Sequence, residues 1–441
     1  MTQKEALEIM KTGQNIFLTG PAGCGKTFLL NKYLEYLREK KISVGITAST
    51  GIAATHLDGR TIHSWCGIGI EEKLDQKKLK KILHNQQTSE RVKTAQVLII
   101  DEISMLDAKR LDLVDTVCRA IRADLRPFGG LQVILCGDFF QLPPVRHHDN
   151  FELAVFESEA WSELNLRVCY LEEQFRQEDG RFSMVLSNIR ANKDSEKSLE
   201  ILAERLEVDL DFSVTPTKLF THNQKVDSHN DFELEKLTSP SVFFQMKTDG
   251  PANLVKKIKD GCLASEKLEL KIGAVVMFIR NNFVRGFVNG TIGEVVSFDA
   301  DGFPLVKTVR GKIISARPEF WRIGENDEVV ASLSQIPLRL AWAITIHKSQ
   351  GMSLDCAEID LSRSFEFGMG YVALSRVRTL SGIRLLGINQ LALKVDENVV
   401  VFDEKLREQS KNDLAFFKAL KPKERRLLVD NFLINKKSSL F

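Results

Sequence analysis

One glycine-rich segment constrains this chain of 441 residues more than any other, Gly20-Pro-Ala-Gly-Cys-Gly-Lys26-Thr27. It fits the pattern G-x-x-x-x-G-K-[ST], follows an apolar run at residues 15–20 and opens an amphipathic stretch at residues 27–40. Its glycines allow backbone N–H groups to surround phosphate oxygens, and the N-terminus of the following helix adds positive potential. The segment predicts a nucleoside triphosphate site in which Lys26 contacts the β- and γ-phosphates and the Thr27 hydroxyl binds Mg²⁺.

A second apolar run ends in two carboxylates, Val97-Leu-Ile-Ile-Asp101-Glu102. If this run is a strand parallel to the first, Asp101 lies beside the phosphates and can hold the metal ion. The adjacent Glu102 can then polarise the attacking water as a general base. These residues predict hydrolysis of a nucleoside triphosphate. They do not indicate what the hydrolysis drives, because kinases, switches and motors share these groups.

Short apolar runs alternate with amphipathic stretches in the first part of the chain. The runs at residues 15–20, 42–48, 95–101 and 131–138 are nearly continuously apolar, as in strands that are covered on both faces of a parallel sheet. One amphipathic stretch has a predicted helical face made of Leu111, Val114, Val117, Cys118, Ile121 and Leu125. The alternation predicts a doubly wound α/β domain. A second alternation begins near residue 215, with a strand at 217–221 and a helix at 223–236.

Two segments interrupt this alternation. Residues 66–94 are polar and contain four closely spaced lysines, which indicates a small insertion or a solvated helix face. Residues 268–334 change to short period-two stretches broken by glycine, which is typical of a small β barrel. The tail from Leu406 is charged and has a helical pattern, with Pro422 at a predicted helix start.

The composition excludes several classes of protein. Lys+Arg 61 against Asp+Glu 59 leaves a net charge of +2, which argues against a globally basic coat protein but allows a local basic groove. The seven cysteines are scattered without a C-x-x-C pair, so neither a zinc site nor a disulfide framework is expected. No apolar stretch approaches the roughly 20 residues of a membrane span. The first residues lack an apolar signal core, so we expect a cytosolic protein without a membrane partner.

Six further segments carry a resemblance to a known family. They are TASTGIAA at residues 47–54, TIHS at 61–64, GDFFQLPPV at 137–145, LEEQFRQ at 171–177, TIHKSQG at 345–351 and YVALSRVR at 371–378. With the two nucleotide segments they resemble superfamily 1 DNA helicases, most closely the 5′-to-3′ branch of the Pif (petite integration frequency) family. The match runs in order from about residue 2 to 385. GDFFQLPPV, TIHKSQG and YVALSRVR are highly specific together.

The resemblance implies a domain organisation. It predicts two RecA-like P-loop motor domains, with a small wedge insertion in the first and an SH3-like barrel inserted in the second. On this chain the first motor domain covers residues 1–180 with the insertion at about 66–94. The second covers residues 181–267 and 335–441, and the barrel covers residues 268–334.

The resemblance also implies roles for residues around ATP. Gln141 contacts the γ-phosphate, while Arg176 and Arg376 reach the γ-phosphate and stabilise its charge during transfer, in the manner of arginine fingers. Surface salt bridges are the alternative for the two arginines. Gly351 lies near the phosphates, and Gln3 reads the adenine. The complete predicted nucleotide set is Gln3, Gly20, Ala22, Gly23, Cys24, Gly25, Lys26, Thr27 and Gly351, with Thr27 and Asp101 on Mg²⁺.

Cys24 gives a separate prediction. It lies among backbone amides of the glycine-rich segment and close to Lys26, an electropositive environment that favours a thiolate. We expect alkylation of this thiol to inactivate the ATPase and ATP to protect it. A small residue that is merely tolerated there is the alternative.

Single-stranded DNA is the partner that the resemblance implies. The matching DNA contacts are Thr50, His63, Ser64, Asn223, Thr345, His347 and Lys348. Hydroxyl, imidazole and ammonium donors suit contact with the phosphate backbone without reading sequence. For His63 and His347 the alternative is a purely structural role. Trp65 either stacks on a base or packs in the core.

The resemblance implies ATP-dependent translocation 5′ to 3′ with unwinding of duplex DNA, and it leaves open which structure is preferred, a fork, a G-quadruplex or an RNA–DNA hybrid. ATP draws the motor domains together in this cycle, and hydrolysis lets them part. One alternative is a nucleotide-switched DNA clamp that does not translocate, and another is a RecD-like subunit of a nuclease complex. We expect a monomer, with a dimer on DNA as the alternative, and a bacterial-type cytoplasmic protein that acts at the nucleoid.

Overall fold

The chain forms two compact units. The computed structural model describes residues 1–57, 59–69, 73–143, 153–176, 179–210, 215–221, 226–282, 284–309, 311–325 and 328–438. Unit 1 consists of Met1–Phe139, Pro143–Phe175 and Val401–Phe441. Unit 2 consists of Phe140–Leu142 and Arg176–Val400. The chain therefore enters unit 2 briefly at residues 140–142, well before the main crossing at residue 176.

Unit 1 is built on a parallel sheet. Its strands are β1 (Ile16–Thr19), β2 (Val44–Ala48), β3 (Arg60–Thr61), β4 (Val97–Asp101), β5 (Gln132–Cys136) and β6 (Arg167–Tyr170). They are ordered β3-β2-β4-β5-β1-β6, and every pair is parallel. Its helices up to residue 163 are α1 (Gln3–Met10), α2 (Lys26–Glu39), α3 (Gly51–His56), α4 (Ile62–Cys66), α5 (Gln76–His84), α6 (Gln86–Thr94), α7 (Ala108–Arg122) and α8 (Glu159–Glu163).

The continuous apolar runs follow from burial on both faces of this sheet. In β4, Val97 and Ile99 belong to one hydrophobic cluster, whereas Leu98 and Ile100 belong to the cluster on the opposite face. Side chains on both faces of the strand are thus buried, so apolar and polar residues do not alternate along it. The four predicted strands and the α/β class are confirmed, and the strand ends agree within two residues.

The helical face predicted at residues 111–125 extends too far. Helix α7 ends at Arg122, because Ala123 adopts a left-handed conformation with φ of 51°. Leu125 therefore lies beyond the helix and is 88% exposed. The three-and-four spacing of apolar residues includes Leu125 because this spacing does not show that the helix ends at Ala123.

Residues 66–94 contain α5 and α6, which hold most of the polar stretch. Ile82 and Val92 from these helices are buried in the same cluster as Leu111 of α7, whereas Lys77, Lys80 and Lys81 are exposed. The segment is thus a helical pair that is anchored to unit 1 by a few apolar side chains.

Unit 2 contains a second, smaller parallel sheet. Its strands are β7 (Thr217–Phe220), β18 (Ala343–Thr345), β19 (Ala357–Leu361) and β20 (Ile383–Ile388), in the order β18-β7-β19-β20. The accompanying helices are α9 (Gly180–Arg190), α10 (Ser195–Ala203), α11 (Val226–Glu235), α12 (Ala252–Gly261) and α13 (Met369–Ser375). The second βα alternation that the sequence predicts from residue 215 is therefore present.

The remaining strands of unit 2 are antiparallel. They are β8 (Val242–Gln245), β9 (Lys247–Asp249), β10 (Lys267–Leu270), β11 (Val275–Phe278), β12 (Ile292–Phe298), β13 (Pro304–Thr308), β14 (Ile313–Ser315), β15 (Glu319–Glu325), β16 (Glu328–Gln335) and β17 (Leu338–Leu340). They form a five-stranded sheet β14-β13-β12-β11-β17, a three-stranded sheet β15-β16-β9 and the pair β10-β8. The β-rich region predicted at 268–334 thus also recruits strands from before and after that range.

The C-terminal tail corrects the predicted assignment of residues 335–441 to the second motor domain. Helix α14 (Glu397–Ala419) and helix α15 (Pro422–Ser438) follow unit 2 in sequence, yet residues from Val401 onward belong to unit 1. The reason lies at the edge strand β6. Asp413 accepts hydrogen bonds from the backbone of Val168 and the guanidinium of Arg167, each at 2.8 Å.

Other residues of α14 extend this cover. The Ser410 hydroxyl accepts from the backbone N–H of Tyr170 at 3.1 Å, and the Tyr170 hydroxyl donates to Asp403 at 2.9 Å. An edge strand needs partners for its outward N–H groups, and here side chains of a helix supply them. Among the described residues, no helix has the length and apolarity to cross a membrane.

Replacement of Asp413 tests this cover. Asp413→Ala removes the acceptor of a buried backbone N–H of β6 and of Nη1 of Arg167, so we expect a loss of about 2–4 kcal/mol in the free energy of unfolding. Urea denaturation measures it. Glu408→Ala, at an exposed position of the same helix, is the control and should change stability by less than about 0.5 kcal/mol. Equal stabilities of the two variants would contradict the role of α14.

Candidate active site

The glycine-rich segment forms a tight loop between β1 and α2, called here the P-loop (residues 20–27). Gly20, Gly23 and Gly25 have φ values of 144°, 88° and 84°. A Cβ on Gly20 would lie 2.4 Å from the carbonyl oxygen of Leu171, and one on Gly25 would lie 2.1 Å from Nε2 of Gln3. The loop therefore excludes side chains at these positions. Gly25 is also the N-cap of α2 and makes no side-chain cap, so the first N–H groups of α2 are not capped by it.

Lys26 is the first residue of α2 and its ammonium turns back over the P-loop. The Nζ atom donates to the carbonyl of Gly20 at 2.8 Å and to that of Pro21 at 3.2 Å. The N–H groups at the N-terminus of α2 and a lysine held inside the loop form a donor set that fits the phosphates of a nucleotide.

Asp101 ends β4 and is buried, and its Oδ1 accepts the backbone N–H of Glu102 at 2.9 Å. Burial raises the pKa of this carboxyl group, while the Cys136 thiol and the Lys26 charge oppose the rise. A bound divalent cation would favour the carboxylate, and carboxylate and hydroxyl oxygens are donors that suit Mg²⁺. Asp101 and the half-buried Thr27 thus fit the metal that the sequence predicts.

Glu102 lies in a conformation that L residues rarely adopt, with φ of 51° and ψ of 46°. Ser49 holds this turn, because its hydroxyl donates to the Glu102 carbonyl at 2.7 Å and its N–H donates to the Asp101 carbonyl at 3.1 Å. Strained backbone of this kind clusters at functional sites. The sequence predictions did not include Ser49, although it lies within the TASTGIAA segment next to Thr50.

Gln3 is brought to the P-loop by helix α1. Thr2 and Glu5 form a capping box that starts this helix, and the Gln3 amide donates from Nε2 to the Cys24 carbonyl at 3.1 Å. Helix α1 is also held from the C-terminal tail, because Lys418 forms an ion pair with Glu5 at 2.6 Å. A position at the start of the chain is therefore compatible with a contact to a bound nucleotide.

Cys24 does not have the environment that the sequence predicts. Its side chain is 0% exposed and belongs to the hydrophobic cluster under α2, although its Sγ lies 3.9 Å from the Lys26 ammonium. A thiol without access to solvent reacts slowly with alkylating agents. The structure therefore favours the alternative, a small residue that fits the loop.

Two of the predicted arginines converge on one residue of unit 2. Arg176 donates from Nη1 to the Ser375 carbonyl at 3.0 Å, and Arg376 donates from Nη2 to the Ser375 hydroxyl at 2.9 Å. Arg376 also donates from Nε to the carbonyl of Val372 and is 1% exposed. Arg376 is therefore not a surface group, whereas Arg176 is half-buried. Gln141 belongs to the short segment of unit 2 at residues 140–142 and is buried.

The predicted DNA contacts of unit 1 lie at helix starts. Thr50 caps α3, with its hydroxyl accepting the N–H of Ala53 at 3.2 Å, while His63 and Ser64 lie on α4 and are half-buried. Burial and the nearby Arg110 charge lower the pKa of His63, so its imidazole is neutral near pH 7. Trp65 packs against Gly45 and is buried, which settles its alternatives in favour of the core.

The predicted contacts of unit 2 follow β18. Thr345 is 2% exposed and its hydroxyl accepts the N–H of Lys348 at 3.2 Å, so it shapes the turn in which His347 and Lys348 lie half-buried. Gly351 is exposed, with φ of 77°. Asn223 lies outside the described residues.

Comparison with known proteins gives consistent matches. The sequence profile of PIF1-like helicases matches residues 2–196, and that of the 2B domain of the DNA helicase Pif1 matches residues 253–298. The ATP-dependent DNA helicase Pif1 of Psychrobacter sp. is 42% identical over 93% of this chain and 71% of its own length. The chain spans 64% of the length of the PIF1 helicase of Danio rerio, to which it is 37% identical.

Solved structures of similar proteins agree with the fold. Pif1 from Bacteroides sp. in complex with ADP-AlF4 matches with a TM-score of 0.79 and 30% identity, over 92% of this chain and 96% of that protein. Bacteroides Pif1 bound to single-stranded DNA matches with a TM-score of 0.63 and 29% identity, over 93% and 97%.

The P-loop geometry makes a prediction about Gly20. Gly20→Ala places a methyl group against the Leu171 carbonyl, so the loop must move and the affinity for an ATP analogue should fall at least about tenfold, which corresponds to ~1.4 kcal/mol. Fluorescence titration with a labelled nucleotide measures it. Gly302→Ala is the control, because that glycine has a φ of 81° but open space around its Cβ position. It should lower stability by about 1 kcal/mol and leave nucleotide affinity unchanged.

The lowered pKa of His63 makes a prediction about pH. Below about 6.5 the unfolded chain takes up the proton first, so the stability contributed by neutral His63 is present above that pH and is lost as the pH falls through the lower folded pKa. The stability of the native protein relative to His63→Gln should therefore be greater at pH 7.5 than at pH 5.5. Denaturant unfolding at both pH values tests this, and an unchanged difference would contradict it.

Proposed function

Because this chain belongs to the family of Pif1-like ATP-dependent DNA helicases, we propose that it couples ATP hydrolysis at the P-loop to 5′-to-3′ movement along single-stranded DNA. The observation that carries the proposal is the joint position of the Lys26 ammonium, the buried Asp101 and the strained Glu102 at one edge of the parallel sheet. Polarity and the unwinding of forks, G-quadruplexes or RNA–DNA hybrids rest on the family resemblance.

Each residue has a proposed part in hydrolysis. The N–H groups of the P-loop and Lys26 bind the phosphates, and Thr27 and Asp101 would hold Mg²⁺, which neutralises charge on the phosphate oxygens when bound. Glu102 accepts a proton from the attacking water. Gln141, Arg176 and Arg376 act on the γ-phosphate, and Gln3 reads the adenine.

The remaining predicted assignments are also proposals. Thr50, His63, Ser64, His347 and Lys348 contact the DNA backbone, whereas the buried Thr345 shapes the turn that presents its neighbours. The helical pair α5–α6 acts as the wedge, and the antiparallel strands of unit 2 form the SH3-like module. A monomer that is active on DNA and a bacterial-type cytoplasmic location at the nucleoid stay predictions. A RecD-like subunit of a nuclease complex stays the alternative.

Two substitutions separate nucleotide binding from turnover. Lys26→Ala should lower DNA-stimulated ATP hydrolysis about 10²-fold or more, because it removes the ammonium group that stabilises the negative charge developing on the phosphoryl oxygens. Glu102→Gln should retain nucleotide binding and lose hydrolysis by about 10²-fold to 10⁴-fold, since no base remains for the water. Phosphate release is measured with and without single-stranded DNA. Lys32→Ala, at an exposed position of α2, is the control and should match the native rate.

The same preparations test the motor. Strand displacement on duplexes with a 5′ or a 3′ tail should occur with the 5′ tail only, and neither Lys26→Ala nor Glu102→Gln should support it. Hydrolysis that single-stranded DNA does not stimulate would favour a nucleotide-switched clamp. Displacement from the 3′ tail alone would make the proposed polarity wrong.

A further inference from the structure

Unit 2 contains a buried arginine to which the proposed mechanism gives no part. Arg190 is the last residue of α9, and it is 6% exposed. A guanidinium keeps its charge at any physiological pH, and its removal from water is costly unless specific contacts compensate. The contacts that compensate for the burial of Arg190 therefore identify the residues that it can position.

The guanidinium is in contact with two aromatic rings. Its central carbon is 4.1 Å from the ring centroid of Phe140 and 5.4 Å from that of Tyr371, and Nη1 donates to the Tyr371 hydroxyl at 3.0 Å. Phe140 directly precedes Gln141 in the chain. Tyr371 lies on α13, the helix that ends next to Arg376. One side chain thus joins the Gln141 segment to the helix of a proposed arginine finger.

Helix α13 contacts the Gln141 segment at one end and the two arginines at the other. Gly368, its N-cap, is in contact with the same segment, since a Cβ there would lie 2.6 Å from the Phe140 carbonyl oxygen. At the other end, Ser375 accepts from both Arg176 and Arg376. The three groups proposed to act on the γ-phosphate are therefore all in contact with α13 or next to a residue that contacts it. Arg190 connects the Gln141 segment to this helix through its side chain.

We infer that Arg190 is a positioning residue for ATP hydrolysis, which fixes Gln141 relative to α13 and Arg376 through the rings of Phe140 and Tyr371. This inference rests on the proposed roles of Gln141 and Arg376. Its physical basis is the planar guanidinium, which stacks on a ring and donates a hydrogen bond in its own plane at the same time. A lysine keeps the charge but provides neither the plane nor the fixed donor geometry.

The substitution Arg190→Lys tests the inference. Displacement of a reacting group by about 1 Å can reduce a rate about 10²-fold, so we expect the DNA-stimulated kcat to fall about tenfold to 100-fold. The KM for ATP and the affinity for a non-hydrolysable analogue should stay within about threefold, because the P-loop belongs to unit 1. Tyr371→Phe keeps the ring and removes the acceptor, so it should show a smaller loss of kcat.

Arg181→Lys is the matched control. Arg181 lies on the same helix, is exposed and forms an ion pair with Glu204 at 2.6 Å. Its kcat, KM and thermal midpoint should equal those of the native protein. If Arg190→Lys lowers the thermal midpoint and changes kcat, KM and DNA affinity together, the residue has only a structural role and the inference is wrong. An unchanged kcat in Arg190→Lys would overturn it as well.

A double-mutant cycle distinguishes this inference from the proposed roles. If Arg190 acts through Gln141, the kcat of Arg190→Lys combined with Gln141→Ala should equal that of Gln141→Ala alone within about threefold. If the double variant instead shows the product of the two single losses in kcat, Arg190 acts independently of Gln141. If neither Gln141→Ala nor Arg376→Ala lowers kcat, the proposed roles fail and the inference falls with them. If both lower kcat and Arg190→Lys does not, only the inference fails.

Discussion

The parallel order of the strands in unit 1 is the constraint on which the candidate site depends. Parallel strands direct their carboxyl ends to one edge of the sheet, so the P-loop after β1 and the carboxylates after β4 share that edge although about 75 residues separate them in sequence. Lys26 is close enough to Asp101 for its charge to act on the pKa of that carboxyl group. Strand β5 lies between the two, and its following residue Gly137 donates to the Leu18 carbonyl of β1 at 3.1 Å.

The sequence predicts much of this arrangement because the relevant signals are local. A glycine-rich loop before an amphipathic stretch and an apolar run before two carboxylates each occupy a few consecutive residues, and both lie where the patterns indicate. Leu125 shows the limit of periodicity, since the left-handed Ala123 ends the helix without a sequence signal as strong as glycine or proline. Ser49 and Arg190 act through contacts with residues far away in the sequence, which no spacing rule describes.

The C-terminal tail could not be assigned from the sequence for a different reason. Its helical pattern is correct, but its position depends on contacts with β6 across about 240 residues, which charge and periodicity along α14 do not encode. The position of the tail also affects the candidate site. Lys418 pairs with Glu5, and a Cβ on Gly13 would lie within 2.4 Å of the Phe432 ring, so the tail packs on both ends of the helix that carries Gln3. Helix α1 is thus supported by residues from the far end of the chain.

The charge of the chain can be understood from the candidate DNA contacts. A protein that moves along a strand must release each phosphate as readily as it binds it, and every phosphate neutralised by a cation increases both the affinity and its dependence on salt. Among the candidate contacts that the structure describes, Lys348 is a cation, His63 is neutral because burial and Arg110 lower its pKa, and Thr50 and Ser64 offer hydroxyl groups. Dipolar donors bind phosphate oxygens more weakly than ammonium or guanidinium groups do. If these positions contact DNA as we propose, their hydroxyl and neutral imidazole groups favour release and rebinding of phosphates over tight binding.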